Sequence, residues 1–255
     1  MHQISIPEAP ITERYKAHIP PDGCLLENSG VVRATYAPTS DAPNGTVKDS
    51  WAEKHQHQTV LEQHCSFFDP DGDGIIWPTD TYRTCRSFEW SIPTSLFFTG
   101  FLHVVQSYNT VPGWLPDPFF RLWVKNAYMN KHGSGTGTFD TEGRYRPQPL
   151  EDFFTKFDSD GKGGLTKGEL WHGLRRSRLA FDFFGQVSAM FEWGFAWVLI
   201  WPEDGILRKE DVRRLLDGSL YHEKVAVSGR RERGQKTCLR SQSAEPLQSK
   251  ALKIQ

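Results

Sequence analysis

Asp69, Asp71 and Asp73 stand at alternating positions in the stretch DPDGDGIIWPTD, residues 69 to 80, with Gly74 at its sixth place and the carboxylate of Asp80 at its twelfth. Carboxylates at that spacing suit calcium, a hard cation that takes oxygen ligands from alternating positions of a loop whose sixth residue is glycine. The ligands would be Asp69, Asp71 and Asp73, the Ile75 carbonyl, a water beyond Trp77, and Asp80. Asp80 is shorter than the bidentate glutamate usual at the last position, which implies weaker calcium affinity and some tolerance of magnesium. Two histidines add a different chemistry. His64 shares a helical face with Leu61, Cys65 and Phe68 and so points inward, and His132 precedes the glycine-rich GSGTGT, where backbone can approach a large planar ligand. A satisfied core histidine and an ordinary loop histidine are the plain alternatives.

The elements that hold these groups follow from periodicity. Val60, Leu61, His64, Cys65 and Phe68 fall at helical spacing before the loop, and Tyr82, Cys85 and Phe88 continue at intervals of three after it, so helix, loop and helix follow in order. The loop resembles an EF-hand site. A second unit of that shape has Leu150, Phe153, Phe154 and Phe157 before a loop from Asp158 to Glu169, but Lys162 places a positive charge beside any ion there. It reads as a degenerate partner of an intact first loop. Leu165 and Ile76 occupy the apolar position at which paired EF-hands join through a short strand, so the two units are expected to pack together.

Composition narrows the class of function. The 255 residues are 38% hydrophobic, enough for a core, and 30 basic against 31 acidic side chains leave a net charge of -1. That balance gives no broad footprint for nucleic acid. Four cysteines, Cys24, Cys65, Cys85 and Cys238, form no CxxC pair and suit a reducing compartment. The N-terminal stretch lacks an apolar run behind a basic start, so a cytosolic beginning is expected. Residues 1 to 50 read as irregular and the basic tail from 225 to 255 as disordered.

Aromatics make up 13% of the chain. Between the loops, residues 91 to 124 hold an uncharged apolar stretch, Ser95 to Val105, of about 11 residues, where a membrane span needs roughly 20. Pro112, Pro116 and Pro118 then favour a tight turn, so a hairpin dipping into one leaflet and a hairpin buried in a soluble core are both open. Residues 181 to 201 pose the same choice: Trp193, Trp197 and Trp201 form a stripe on one helical face, and Glu192 would be costly in lipid without an edge position or a partner.

The runs LEQHCSFFDPDGDGIIWPTDTYR, TVPGWLPDPFF, KHGSGTGTFDTEGRY and WPEDGILRKEDVRRLLDGSLY, in that order across about 55 to 222, resemble the caleosin, or peroxygenase, family. The resemblance implies a mainly α fold with an EF-hand pair, an inserted proline-knot hydrophobic hairpin and an aromatic amphipathic helix. It also implies binding of Ca2+ and haem b, with His64 and His132 serving the haem, and attachment to the cytosolic face of lipid droplets and endoplasmic reticulum membrane. The implied reaction is transfer of oxygen from fatty acid hydroperoxides to unsaturated lipids. A Cys65 thiolate is a weaker candidate for the iron, since nothing nearby marks a depressed pKa. A non-catalytic droplet coat and a soluble calcium sensor are the rivals.

Overall fold

The computed structural model describes residues 26–228. They are mainly helical: α1 (Trp51–Lys54), α2 (Val60–Ser66), α3 (Pro78–Ser87), α4 (Ile92–Thr110), α5 (Pro147–Phe157), α6 (Lys167–Arg176), α7 (Phe183–Ile200) and α8 (Lys209–Leu216). Four short strands lie among them, β1 (Ile75–Ile76), β2 (Leu122–Trp123), β3 (Gly164–Thr166) and β4 (Ile206–Arg208), and a last helix covers 219–228. Residues 26–50 carry turns and one 3-10 turn, Lys48–Ser50. The rest of the expected irregular segment, 1–25, lies outside the described residues; of the tail expected to be disordered from 225, residues 225–228 instead continue the last helix and the remainder, from 229 onward, lies outside the described residues.

Local signals explain where the helices begin. Thr59 caps α2 and Thr166 caps α6, each with the glutamate three residues on, Glu62 and Glu169, returning to the cap backbone. Proline occupies the first turn of α3, α4 and α5, where its missing N–H costs nothing. Leu150, Phe153, Phe154 and Phe157 of α5 are all buried, as their spacing predicts. Gly173 of α6 lets the two helices close: a Cβ there would lie 2.8 Å from the Phe153 ring.

The strands correct one expectation. Ile76 and Leu165 do not pair with each other. β1 pairs with β2, placing Ile76 opposite Leu122, and β3 pairs with β4, placing Leu165 opposite Leu207. Each loop thus finds its partner in a later helix-strand-helix segment of its own half, α4 and the 3-10 helix Val124–Asn130 for the first, α7 and α8 for the second. Two- and three-residue strands leave too little pattern to announce a partner in sequence.

A buried arginine ties the irregular segment to this frame. Arg213 of α8, 1% exposed, donates to the Ala37 carbonyl at 3.0 Å, to Thr46 Oγ1 at 2.8 Å and to Asp217 at 3.0 Å, so its charge is paired and its donors are used.

In the second acidic loop, Lys162 Nζ lies 3.0 Å from Asp158, 2.6 Å from Asp160 and 2.8 Å from Glu169. Its ammonium occupies the point on which the carboxylates converge, doing there what a bound cation would do. Burial opposes ionisation of Glu169, but bonds from Lys162, Thr166 and Ser159 outweigh it and draw its pKa down to about 2. The stabilisation is therefore complete above the ordinary glutamate range and disappears only as pH falls toward about 2. Lys162→Asp should remove the internal cation and leave like charges facing one another. The variant is expected to lose about 1–3 kcal/mol in chelator and to regain it in calcium, whereas wild type with Asp71→Ala in the first loop should show no such rescue; thermal melts with and without calcium check this.

Candidate active site

A cavity of about 300 Å3 opens where the two halves meet, walled by α2, α3, α4, α7, α8, the Tyr221 ring and the loop from Asn130 to Phe139. That volume falls in the range of small-molecule and cofactor pockets, and the walls are mostly apolar, including Phe68, Phe98, Leu102, Phe191, Trp193 and Phe195. His64 and His132, separated by most of the first half of the fold in sequence, both line it.

His64 faces inward because α2 packs its Leu61, Cys65 and Phe68 side against the cavity. Its Nδ1 bonds to the Leu215 carbonyl at 2.8 Å, and a carbonyl can only accept, so Nδ1 carries the proton. The Nε2 lone pair then meets the Tyr221 hydroxyl at 3.2 Å. Burial holds the imidazole below its ordinary pKa, outweighing the Leu215 carbonyl, and keeps it neutral at physiological pH. A neutral imidazole fixed through one nitrogen by a backbone carbonyl is the state in which histidine ligates metals.

His132 sits in the loop after the 3-10 helix, its side chain 7% exposed. Its Nε2 lies 3.4 Å from Glu192 Oε1, and its Nδ1 is buried with no hydrogen-bond partner among the described residues. Asn130 Oδ1, also on the cavity wall, is a second buried polar atom without a partner. Buried polar atoms are seldom left so, and two on one wall mark a place shaped for a ligand. The carboxylate of Glu192 holds the His132 pKa above the ordinary value, against the opposing effect of burial. Cys65 shares the wall, but burial pushes its thiol up to about 12, far from a thiolate. His103 is elsewhere, buried between Thr81 Oγ1 and the Phe120 carbonyl, where it joins α4 to α3 and the proline loop.

The structure brings Asp69, Asp71 and Asp73 together, their oxygens within 4.8 Å of one another, and such a set could hold a metal ion. Burial raises the Asp69 pKa, with Asp71 and Asp73 adding to the effect, which is the behaviour of crowded carboxylates that a cation would relieve. Asp80 stands apart from this cluster. Its Oδ2 accepts from the Trp77 N–H at 3.1 Å as part of the α3 cap, and Arg83 lies 3.5 Å from Oδ1. Ile75 begins β1, its N–H donating to Asp73 Oδ1 at 2.7 Å.

Sequence reasoning placed both histidines and overlooked Tyr221, which is fully buried against Phe67, Phe68 and His64. The available signal was a lone aromatic closing the charged run LRKEDVRRLLDGSLY. Glu192 carried a signal, a charge needing a partner in an apolar helix, and that partner is His132.

Comparison with known proteins agrees with the four motifs. A family model described as "Caleosin related protein" matches residues 56–225. A Lilium longiflorum protein named "Peroxygenase" is 34% identical over 214 residues, covering 84% of this chain and 87% of that one. An Arabidopsis thaliana protein, "Probable peroxygenase 4", is 31% identical over 166 residues, 65% of this chain and 85% of its own. Another from Arabidopsis thaliana, "Probable inactive peroxygenase-like protein", is 32% identical over 88 residues, 34% of this chain and 42% of its own. No solved structure matches. The family match spans both acidic loops and both cavity histidines, and the chain belongs to the caleosin family.

Proposed function

We propose that this chain is a calcium-binding, haem-dependent peroxygenase working at a lipid surface. It would move one oxygen atom from a fatty acid hydroperoxide to an unsaturated lipid, leaving the corresponding alcohol. One observation carries the reading: His64 and His132 line the same apolar cavity, His64 held at Nδ1 by Leu215 and met at Nε2 by the Tyr221 hydroxyl, His132 held at Nε2 by Glu192. One relative bears the name of an inactive protein, so the site has to carry the activity and kinship alone does not.

The residues fit haem b by the chemistry of their donors, a neutral imidazole with its Nδ1 committed to Leu215 and a second with an unpartnered buried Nδ1. When bound, haem supplies an iron centre able to cleave the peroxide O–O bond. The chain's own work would be to hold that centre through one of His64 and His132, to take up and return the hydroperoxide proton through the other, and to keep water from the acyl chain with Phe98, Phe191 and Phe195.

Loop 69–80 fits an EF-hand calcium site through Asp69, Asp71 and Asp73, with α2 entering and α3 leaving. Calcium there would fix the helix that carries His64. The placement of Asp80 outside the cluster agrees with modest affinity.

Attachment to a droplet or endoplasmic reticulum surface is supported by an inverted helix. On α4 the buried residues are Ser95, Thr99, His103, Ser107 and Thr110, while Ile92, Leu96, Phe97, Val104 and Tyr108 face outward. The proline turn beyond it exposes Trp114 at 95% and Leu115 at 84%, and α7 adds Phe183, Phe184, Val187 and Met190 on its outer face. Phe101 and Phe191, stacked at 3.9 Å, join the two helices. Apolar area of this extent suits insertion into one leaflet. Phe183–Ile200 is the one helix among the described residues long and apolar enough to cross a membrane, yet Trp193 packs inward on Phe153, Trp201 past its end is exposed, and the helix carries Glu192. A monolayer-seated hairpin with α7 alongside is the arrangement that follows.

Two outcomes test this. With haem and a fatty acid hydroperoxide labelled with heavy oxygen, the label should appear in the epoxide of an unsaturated acceptor, and His64→Ala or His132→Ala should reduce transfer at least about a hundredfold. Unlabelled product or no transfer by haem-loaded wild type would leave the coat role instead. Each large apolar side chain is worth about 1.5–3 kcal/mol on burial. Trp114→Ser with Leu115→Ser should therefore weaken partition onto artificial droplets by about a hundredfold while activity on dispersed substrate persists.

A further inference from the structure

Glu192 is the only charged residue in the apolar helix α7, and it lines the cavity beside His132. Its carboxylate is 47% exposed while the His132 imidazole it meets is 7% exposed, so the charge stays hydrated at the rim as the ring goes inward. A carboxylate accepts hydrogen bonds and donates none, so the His132 nitrogen facing it, Nε2, must carry the hydrogen. In a neutral imidazole the other nitrogen, Nδ1, is then a bare lone pair. That is the nitrogen that lies buried without a partner.

The same helix holds the loop at a second point. Asp182, the cap of α7, accepts from Gly185 N–H at 2.9 Å and, through its other oxygen, from Ser134 N–H and Ser134 Oγ at 2.7 Å each. Gly133 permits that approach, since a Cβ there would lie 2.7 Å from Leu179 Cδ1. One end of α7 thus anchors the backbone beside His132, and Glu192, farther along, grips the ring.

We propose that Glu192 is the positioning residue of His132: it fixes the tautomer with hydrogen on Nε2 and aims the Nδ1 lone pair into the cavity. His64, held at Nδ1 by Leu215, would then present the opposite nitrogen, Nε2. The two imidazoles face the cavity with different atoms, held by different kinds of acceptor. The consequence for haem rests on the peroxygenase reading; the tautomer does not.

The test uses the full chain labelled with nitrogen-15, first without haem. At a pH above the raised titration range of His132, where the ring is neutral, long-range proton–nitrogen correlation should show His132 Nδ1 unprotonated and Nε2 protonated in wild type. Glu192→Leu, which suits an apolar helix and should fold, is expected to give a mixture of tautomers; Glu192→Gln keeps an acceptor oxygen and should restore the wild-type pattern. In haem titrations Glu192→Leu should bind about 10–100-fold more weakly, and Glu192→Gln should stay within a few-fold of wild type. A wild-type His132 with its hydrogen on Nδ1, or a Glu192→Leu protein with unchanged tautomer and unchanged haem affinity, overturns the proposal. If wild type takes up no haem but the tautomers behave as described, the haem reading fails and the positioning role of Glu192 stands.

Discussion

The bond from His64 Nδ1 to the Leu215 carbonyl is the joint on which the site depends. It runs from α2, which leads into the first acidic loop, to the end of α8, which closes the second half, and so it sets the distance between the two halves at the cavity. Packing around it leaves no slack: a Cβ on Gly218 would lie 2.6 Å from the Gln63 carbonyl, one residue before His64. Gly218 also has φ of +80°, a conformation that glycine adopts without strain. With the backbone drawn this close, Tyr221 is carried in against Phe67 and Phe68 and its hydroxyl reaches His64. A change that loosened this joint would alter the acidic loop, the cavity and the aromatic wall together.

The second constraint is an inversion of polarity at the surface. Water usually sorts a helix so that its polar stripe faces out. α4 does the reverse, and its buried polar groups are only partly satisfied: His103 bonds to Thr81 of α3, while Ser95 Oγ has no hydrogen-bond partner among the described residues. Burying hydroxyls while exposing phenylalanine is unfavourable in water and becomes favourable when the outer medium is hydrocarbon. Phe98 of α4 and Phe191 of α7 line the cavity and pack on each other, so the helices that carry this face also form an aromatic wall of the cavity. Fold and proposed chemistry therefore share one wall.

Much of this was legible in sequence where a local rule governs. The helical period put Leu150, Phe153, Phe154 and Phe157 in the core and turned His64 inward, and the aspartate spacing drew Asp69, Asp71 and Asp73 together. What could not be read depends on partners distant in the chain. Ile76 and Leu165 were each recognisable as strand residues, but their partners, Leu122 and Leu207, lie in segments with no strand pattern of their own. The tryptophan stripe does not keep to one medium, because periodicity defines a face and tertiary packing decides what each residue on it meets: Trp193 packs on Phe153, whereas Trp201 lies past the end of α7 and is exposed. Lys162 was legible as an obstacle to an ion, and the fold shows that its ammonium takes the ion's place among the three carboxylates.

The central claim is that two imidazoles from opposite ends of the first half of the fold serve one cofactor in this cavity. Titration of haem into the calcium-loaded protein, followed in the Soret region beside His64→Ala and His132→Ala, tests it most directly. The peroxygenase reading predicts a saturable protein-bound band in wild type that is lost or shifted in each variant. A folded wild-type protein that shows only the spectrum of free haem, or variants whose band and affinity match wild type, would contradict it.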